Sequence, residues 1–188
     1  LNGRAEAAHN GRPFFFYLPY TSPHKPVIPI EKFRGQGKAG TYGEFMIETD
    51  WHLGRIMKWL DKVKLADNTM VIFFSDNGGG GGADNSPLRG RKAWMFEGGV
   101  RVPCIVRYPG RIPAGSSSSE FLTSMEIFPT LLSEVGVRLP RELVLDGFDM
   151  MPVLTSGEPS PRSEMFWQRK NDKAARVGDW KWVESEQG

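Results

Sequence analysis

The chain has little cysteine and little net charge, and each shortage bears on what the protein can be. One cysteine in 188 residues leaves no internal disulfide framework, although a single thiol does not fix the redox compartment. A formal charge of +2, from 24 basic and 22 acidic residues, comes without a long basic run and excludes a dedicated nucleic-acid partner. No apolar stretch approaches the roughly 20 residues that span a bilayer. The start, Leu1-Asn2-Gly3-Arg4, has neither an initiator methionine nor the charged and apolar regions of a signal peptide. A phosphate-cradling P-loop is also missing, because Gly90 is followed by Arg91, Lys92 and Ala93 where that motif needs Gly-Lys-Ser/Thr.

What remains, 39% apolar and 24% charged residues, is the composition of an ordinary globular protein. Strand-like and helix-like segments alternate, which predicts an α/β fold with a mostly parallel sheet flanked by helices. Phe14-Phe15-Phe16-Tyr17-Leu18 is a continuous apolar run of the kind found in strands buried on both faces, and its end delivers His24. Residues 42–63 carry Met46, Leu53, Met57, Leu60 and Val63 at the spacing of a helix with one buried stripe. Asp67-Asn68 turns the chain into a strand over residues 70–74, and Cys104-Ile105-Val106-Arg107-Tyr108 reads as another. Residues 127–135 read as a helix that tolerates Pro129 near its first turn and ends at Gly136.

The strand over residues 70–74 runs into Ser75-Asp76-Asn77-Gly78-Gly79, followed by Lys92 and by Glu97-Gly98-Gly99-Val100-Arg101-Val102-Pro103. Open α/β sheets place their chemistry at the carboxyl ends of strands. Asp76 and Asn77 offer hard oxygen ligands, which suit Ca²⁺ or Mg²⁺ better than zinc. Taken alone, Asp-Asn-Gly is more often a plain turn, and a lysine in Arg-Gly-Arg-Lys more often a solvated surface residue. Calcium takes about six to eight oxygens, so these two residues form only part of a site. The glycines of residues 78–82 read as a flexible loop over the site mouth.

In this order, Ser-Asp-Asn-Gly-Gly, Leu-Arg-Gly-x-Lys and Glu-Gly-Gly-Val-Arg-Val-Pro resemble the type I sulfatases, the arylsulfatase-like branch of the alkaline phosphatase superfamily. The resemblance extends upstream to His24-Lys25-Pro26. Downstream it takes in Phe128-Pro129-Thr130-Leu131, Leu145-Asp146-Gly147-Phe148-Asp149 and Val177-Gly178-Asp179-Trp180-Lys181. It implies a sulfuric ester hydrolase with Asp76 and Asn77 as metal ligands, Lys92 on the sulfate oxygens, and His24 donating toward the leaving oxygen of a sulfate ester substrate. Histidine suits that last role because it titrates near neutrality. Glu97, Gly98, Gly99 and Arg101 are expected to position the loop and the strand that follows. His9 and His52 are expected to be structural or solvent-facing, and Trp94, Phe96 and Trp167 either to pack or to stack on sugars.

The family's nucleophile, a formylglycine made from the first residue of Cys/Ser-x-Pro-x-Arg, has no counterpart here. Cys104 lacks a proline two residues on, and Thr21-Ser22-Pro23-His24-Lys25 has threonine first and lysine last. The chain is therefore expected to be a piece lacking the N-terminal half of its domain. Residues 1–156 would be the C-terminal part of the catalytic domain, and residues 157–188 a linker with the first strands of an antiparallel C-terminal subdomain. By resemblance the parent is periplasmic, secreted or lysosomal. Two alternatives stand: a phosphodiester or phosphonate monoester hydrolase of the same superfamily, and a non-catalytic relative binding anions or sulfated glycans. A sheet cut in this way leaves unpaired edges and apolar faces, so the isolated 188-residue chain is expected to self-associate. A monodisperse monomer in sedimentation with a cooperative thermal melt is the contrary result.

Overall fold

The apolar spacing over residues 42–63 does produce a long helix. In the computed structural model, described over residues 2–186, helix α1 (Asn2–His9) is followed by α2 (Gly40–Lys62). Helix α2 ends in a Schellman motif, with Lys64 N–H donating to the Asp61 carbonyl and Leu65 N–H to the Leu60 carbonyl, both at 3.0 Å. Lys64 takes the left-handed position at φ 57°, where glycine is usual, and Leu60 and Leu65, joined by the second of these bonds, are both buried. Met46, assigned by periodicity to the buried stripe, is exposed, whereas the polar Glu48 and Thr49 are buried. The reason is the loop before α2. Glu48 Oε2 accepts from Ile30 N–H at 2.9 Å, and Thr49 Oγ1 hydrogen-bonds Ser22 Oγ at 2.6 Å. A buried polar side chain is tolerated when such partners satisfy it.

The chain separates into two compact units, one comprising the residues up to Met70 with Gly79–Ser86, the other Val71–Gly78 with the residues from Pro87 on. In the second unit, β1 (Val71–Phe74) pairs antiparallel with β2 (Cys104–Arg107), and Val71 faces Arg107. Between them lies the short helix α3 (Glu97–Val100). Helix α4 (Ile127–Glu134) follows a capping box in which Thr123 Oγ1 accepts from Met125 N–H and Glu126 accepts from Thr123 N–H. Pro129 stands in the first turn of α4, and Gly136 closes it at φ 70°. Fully buried Glu126 also receives the Arg162 guanidinium, whose Nη2 donates to the Asp146 carbonyl as well at 2.9 Å. Buried Thr130 Oγ1 donates to the Glu126 carbonyl at 2.6 Å and accepts from Met150 N–H at 2.9 Å, next to α5 (Met151–Ser156).

After Gly157, in the left-handed conformation at φ 67°, the chain forms a meander of β3 (Glu164–Arg169), β4 (Asp172–Val177) and β5 (Trp180–Glu184). Its register aligns Met165 with Arg176 and Lys181, and Phe166 with Ala175 and Trp182. Because side chains alternate along a strand, Phe166, Trp180 and Trp182 share one exposed face while Lys181 and Val183 turn to the other.

Two expectations change. Every strand pair among the described residues is antiparallel, where a mostly parallel sheet was expected. The apolar run at residues 14–18 is assigned no strand, and Phe15 and Tyr17 are more than 70% exposed (72% and 73%). A continuous apolar run signals burial on both faces, but strand structure also needs a neighbour's N–H and C=O groups, and this run pairs with none among the described residues. No described helix is long and apolar enough to cross a membrane.

Candidate functional site

Beyond β1 the chain bends through Ser75, whose Oγ donates to the Asn77 carbonyl at 2.8 Å, leaving Asp76 exposed and Asn77 half-exposed. Gly78 then anchors the strand end by donating its N–H to the Gly99 carbonyl at 2.9 Å. This approach excludes any side chain, since a Cβ on Gly78 would lie 1.9 Å from the Gly98 carbonyl oxygen.

The segment carrying Lys92 closes on the same short helix from another side. Gly98 N–H donates to the Arg89 carbonyl at 2.7 Å. A Cβ on Gly98 would meet the Gly90 carbonyl oxygen at 2.3 Å, and one on Gly99 the Trp94 carbonyl oxygen at 2.0 Å. Helix α3 is thus a glycine hub: its lack of side chains lets the Asp76-Asn77 strand end and the Lys92 segment pack backbone to backbone. The Glu-Gly-Gly motif positions, as the sequence implied, but as a short helix and not merely as a loop.

Within that segment Trp94 N–H donates to the Arg91 carbonyl at 2.9 Å, so Lys92 and Ala93 are the central residues of a turn. Ala93 has φ 77° while Lys92 has no positive φ, the signature of a type II turn, which prefers glycine at its third position. Replacing Ala93 by glycine is expected to stabilise the protein by up to about 1 kcal/mol in a urea melt, because the left-handed conformation penalises a Cβ. Equal or lower stability of Ala93→Gly is the contrary result.

Lys92 itself is exposed. Arg89 stacks on the Phe96 ring (4.0 Å) and Arg91 on Trp94 (5.3 Å), while Lys181 lies over Trp167 (4.7 Å). The three aromatics that might have stacked on sugars therefore already hold protein cations. The glycines of residues 78–82, expected to form a flexible loop, are tied down at Gly79. Its N–H donates to Asn85 Oδ1 at 3.0 Å, and its carbonyl accepts from Asn85 Nδ2 at 2.9 Å.

His24 belongs to the other unit, in an exposed turn closed by its N–H donating to the Thr21 carbonyl at 2.9 Å. Its Nδ1 lies 2.9 Å from the Lys25 carbonyl. A carbonyl only accepts, so the Nδ1 that meets it carries a proton. The loop bearing His24 is held to α2 at Ser22 and Ile30 by Thr49 and Glu48. Sequence reasoning missed both of these residues; a carboxylate and a hydroxyl interrupting the apolar periodicity of α2 were the available signal.

His9 and His52 have the structural roles expected of them. His9 Nε2 lies 2.9 Å from the Val63 carbonyl, and His52 stands 3.6 Å from Glu48 and packs edge-on against Trp51. Desolvation raises the Cys104 thiol, the opposite of what activates a cysteine nucleophile. No group of three or more His, Cys, Asp or Glu that could hold a metal occurs among the described residues. By donor chemistry and exposure Asp76 and Asn77 suit a hard divalent cation, which would need further oxygens from elsewhere.

Comparison with known proteins places the chain in a family. Residues 2–137 match the Sulfatase family model. N-acetylgalactosamine-6-sulfatase of Canis lupus familiaris is 34% identical over 97% of this chain and 37% of its own length. Steryl-sulfatase of Homo sapiens is 37% identical over 76% of this chain and 26% of its own length. The crystal structure of Ps i-CgsB in complex with k-i-k-neocarrahexaose superposes with a TM-score of 0.87 at 29% identity, covering 100% of this chain and 45% of that one. The chain spans about a third of the length of the curated relatives it matches, and it belongs to the sulfatase family.

Proposed function

We propose that the protein carrying this chain hydrolyses sulfate esters, with Asp76 and Asn77 holding part of a Ca²⁺ or Mg²⁺ site, Lys92 on the sulfate oxygens and His24 serving the leaving oxygen. The observation that carries this reading is the glycine hub, on which the strand end bearing two oxygen donors and the turn bearing an exposed lysine both close. Family membership supports it, as do relatives whose names specify an amino-sugar sulfatase and a steryl-sulfatase. The proposal stops at sulfate esters as a class. The mostly parallel sheet belongs to the proposal too, supported by likeness to solved sulfatase structures.

The overall reaction adds water across the ester: the sulfur–oxygen bond breaks, the alcohol leaves with a proton and sulfate is released. A bound cation and a formylglycine, whose motif lies outside these 188 residues, would supply Lewis acidity and the attacking oxygen. The Lys92 ammonium stabilises the negative charge on the transferring group, and a preorganised turn limits the reorganisation needed to do so. Protonated at both nitrogens, His24 keeps Nδ1–H on the Lys25 carbonyl and gives its Nε2 proton to the departing alkoxide.

The test is p-nitrophenyl sulfate turnover by the complete protein, before and after chelation. Outer-sphere partners of a metal are worth about 10- to 100-fold in affinity. Asp76→Ala, which removes a ligand oxygen, is therefore expected to raise the Ca²⁺ needed for half-maximal turnover by at least that much. Turnover indifferent to chelation and to Asp76→Ala, or a preference for p-nitrophenyl phenylphosphonate, contradicts the proposal.

A further inference from the structure

We infer that Lys181, in the C-terminal meander, is a positioning residue for the catalytic turn, acting through Glu97 and helix α3. The inference rests on the reading of Lys92 and Asp76 given above and extends it to a residue far along the chain.

The strand period puts Lys181 on the face of the meander opposite Trp180 and Trp182, in register with Met165 and Arg176 and beside Trp167 and Val183. A lysine on such a face has to find an anion or lose hydration without return. It finds Glu97: Nζ lies 2.7 Å from Oε1, with the lysine side chain 13% exposed and the glutamate 32%. The ammonium also sits 4.7 Å above the Trp167 ring, so its direction is fixed from two sides. The pair forms one wall of an open cleft of about 500 Å³ lined also by Leu88, Arg89, Phe96 and Val183.

Glu97 is the first residue of α3, and its carbonyl accepts from Arg101 N–H at 2.8 Å, closing the helix. One residue on, Gly98 grips the Arg89 carbonyl; two residues on, Gly99 receives Gly78 N–H. A helix of four residues has little stability of its own. Its side chains are also sparse, since two of the four residues are glycine, and Glu97 is the polar one by which the rest of the protein can hold it. The Lys181–Glu97 pair accordingly fixes where α3 stands, and α3 fixes the strand end bearing Asp76 and Asn77 and the turn bearing Lys92.

Two readouts in the complete protein test this, and the first needs no turnover. In Lys181→Met, the Gly78 and Gly98 amides are expected to exchange hydrogen at least about 10-fold faster, while the Met150 amide, held by Thr130 at a distance from the pair in sequence, keeps its protection. Unchanged exchange at Gly78 and Gly98, or faster exchange at all three, overturns the proposal.

The second readout is a double-mutant cycle on p-nitrophenyl sulfate. Lys181→Met and Glu97→Gln are each expected to lower kcat roughly 10-fold with little change in KM, the double variant to be no worse than either single, and Lys181→Arg to recover most of the loss. Additive losses, or a loss in KM alone, overturn it. If the wild type prefers p-nitrophenyl phenylphosphonate, the sulfate-ester reading fails while the exchange result still decides the role of Lys181.

Discussion

Alanine at position 78 is expected to destabilise the second unit by about 3 kcal/mol or more, the upper end of what overpacking costs. The added Cβ would stand 1.9 Å from the Gly98 carbonyl oxygen, 2.7 Å from its carbon and 2.8 Å from Gly99 Cα. All three are backbone atoms, so no side chain can rotate away. Relief requires moving β1 off α3, which also breaks the Gly78 N–H bond to the Gly99 carbonyl. Gly81 is the matched control. Nothing lies within 4 Å of a Cβ built there and its φ is not positive, so Gly81→Ala should stay within about 0.5 kcal/mol of wild type. Urea melts of the two variants decide the matter; Gly78→Ala as stable as Gly81→Ala would remove the glycine hub from the account.

Lys92→Ala is expected to lower kcat on p-nitrophenyl sulfate by about 10²- to 10³-fold, the range found when a preorganised donor to developing charge is removed, with a smaller effect on KM. The effect should be specific to this cation. Arg91 precedes it and is also exposed, but its guanidinium lies over the Trp94 ring, so Arg91→Ala should cost less than about 10-fold. A Lys92→Ala enzyme within about threefold of wild type would mean that the turn presents its lysine to solvent only.

The residues of the candidate site stand out in the sequence because their signals are local. Asp76-Asn77-Gly78 at a strand end, Lys92 in its turn and the Glu97-Gly98-Gly99 motif are each contained in a few residues, and so are the signals for the helix ending at Lys62 and the helix ended by Gly136. What the sequence hid depends on partners distant along the chain. Residues 14–18 carry the pattern of a buried strand, yet pattern alone cannot supply the neighbour that strand pairing requires. The antiparallel pairing of β1 with β2 was hidden for the same reason, since its direction is not written in either strand. Glu48 and Thr49 are buried on α2 because Ile30 and Ser22, 18 and 27 residues away, bond them. Lys181 lay in a recognised motif, but its partner Glu97 is 84 residues away. The left-handed Ala93 could not be found by composition, because the turn uses a residue other than the one its geometry prefers.

The central claim is that Asp76, Asn77 and Lys92 form one anion-and-metal site organised by α3. The measurement that tests it most directly is a crystal structure of the complete protein grown with Ca²⁺ and inorganic sulfate. The account predicts oxygens of Asp76 and Asn77 about 2.3–2.6 Å from the cation and Lys92 Nζ hydrogen-bonded to a sulfate oxygen. A cation bound elsewhere, or a sulfate held without Lys92, would contradict it.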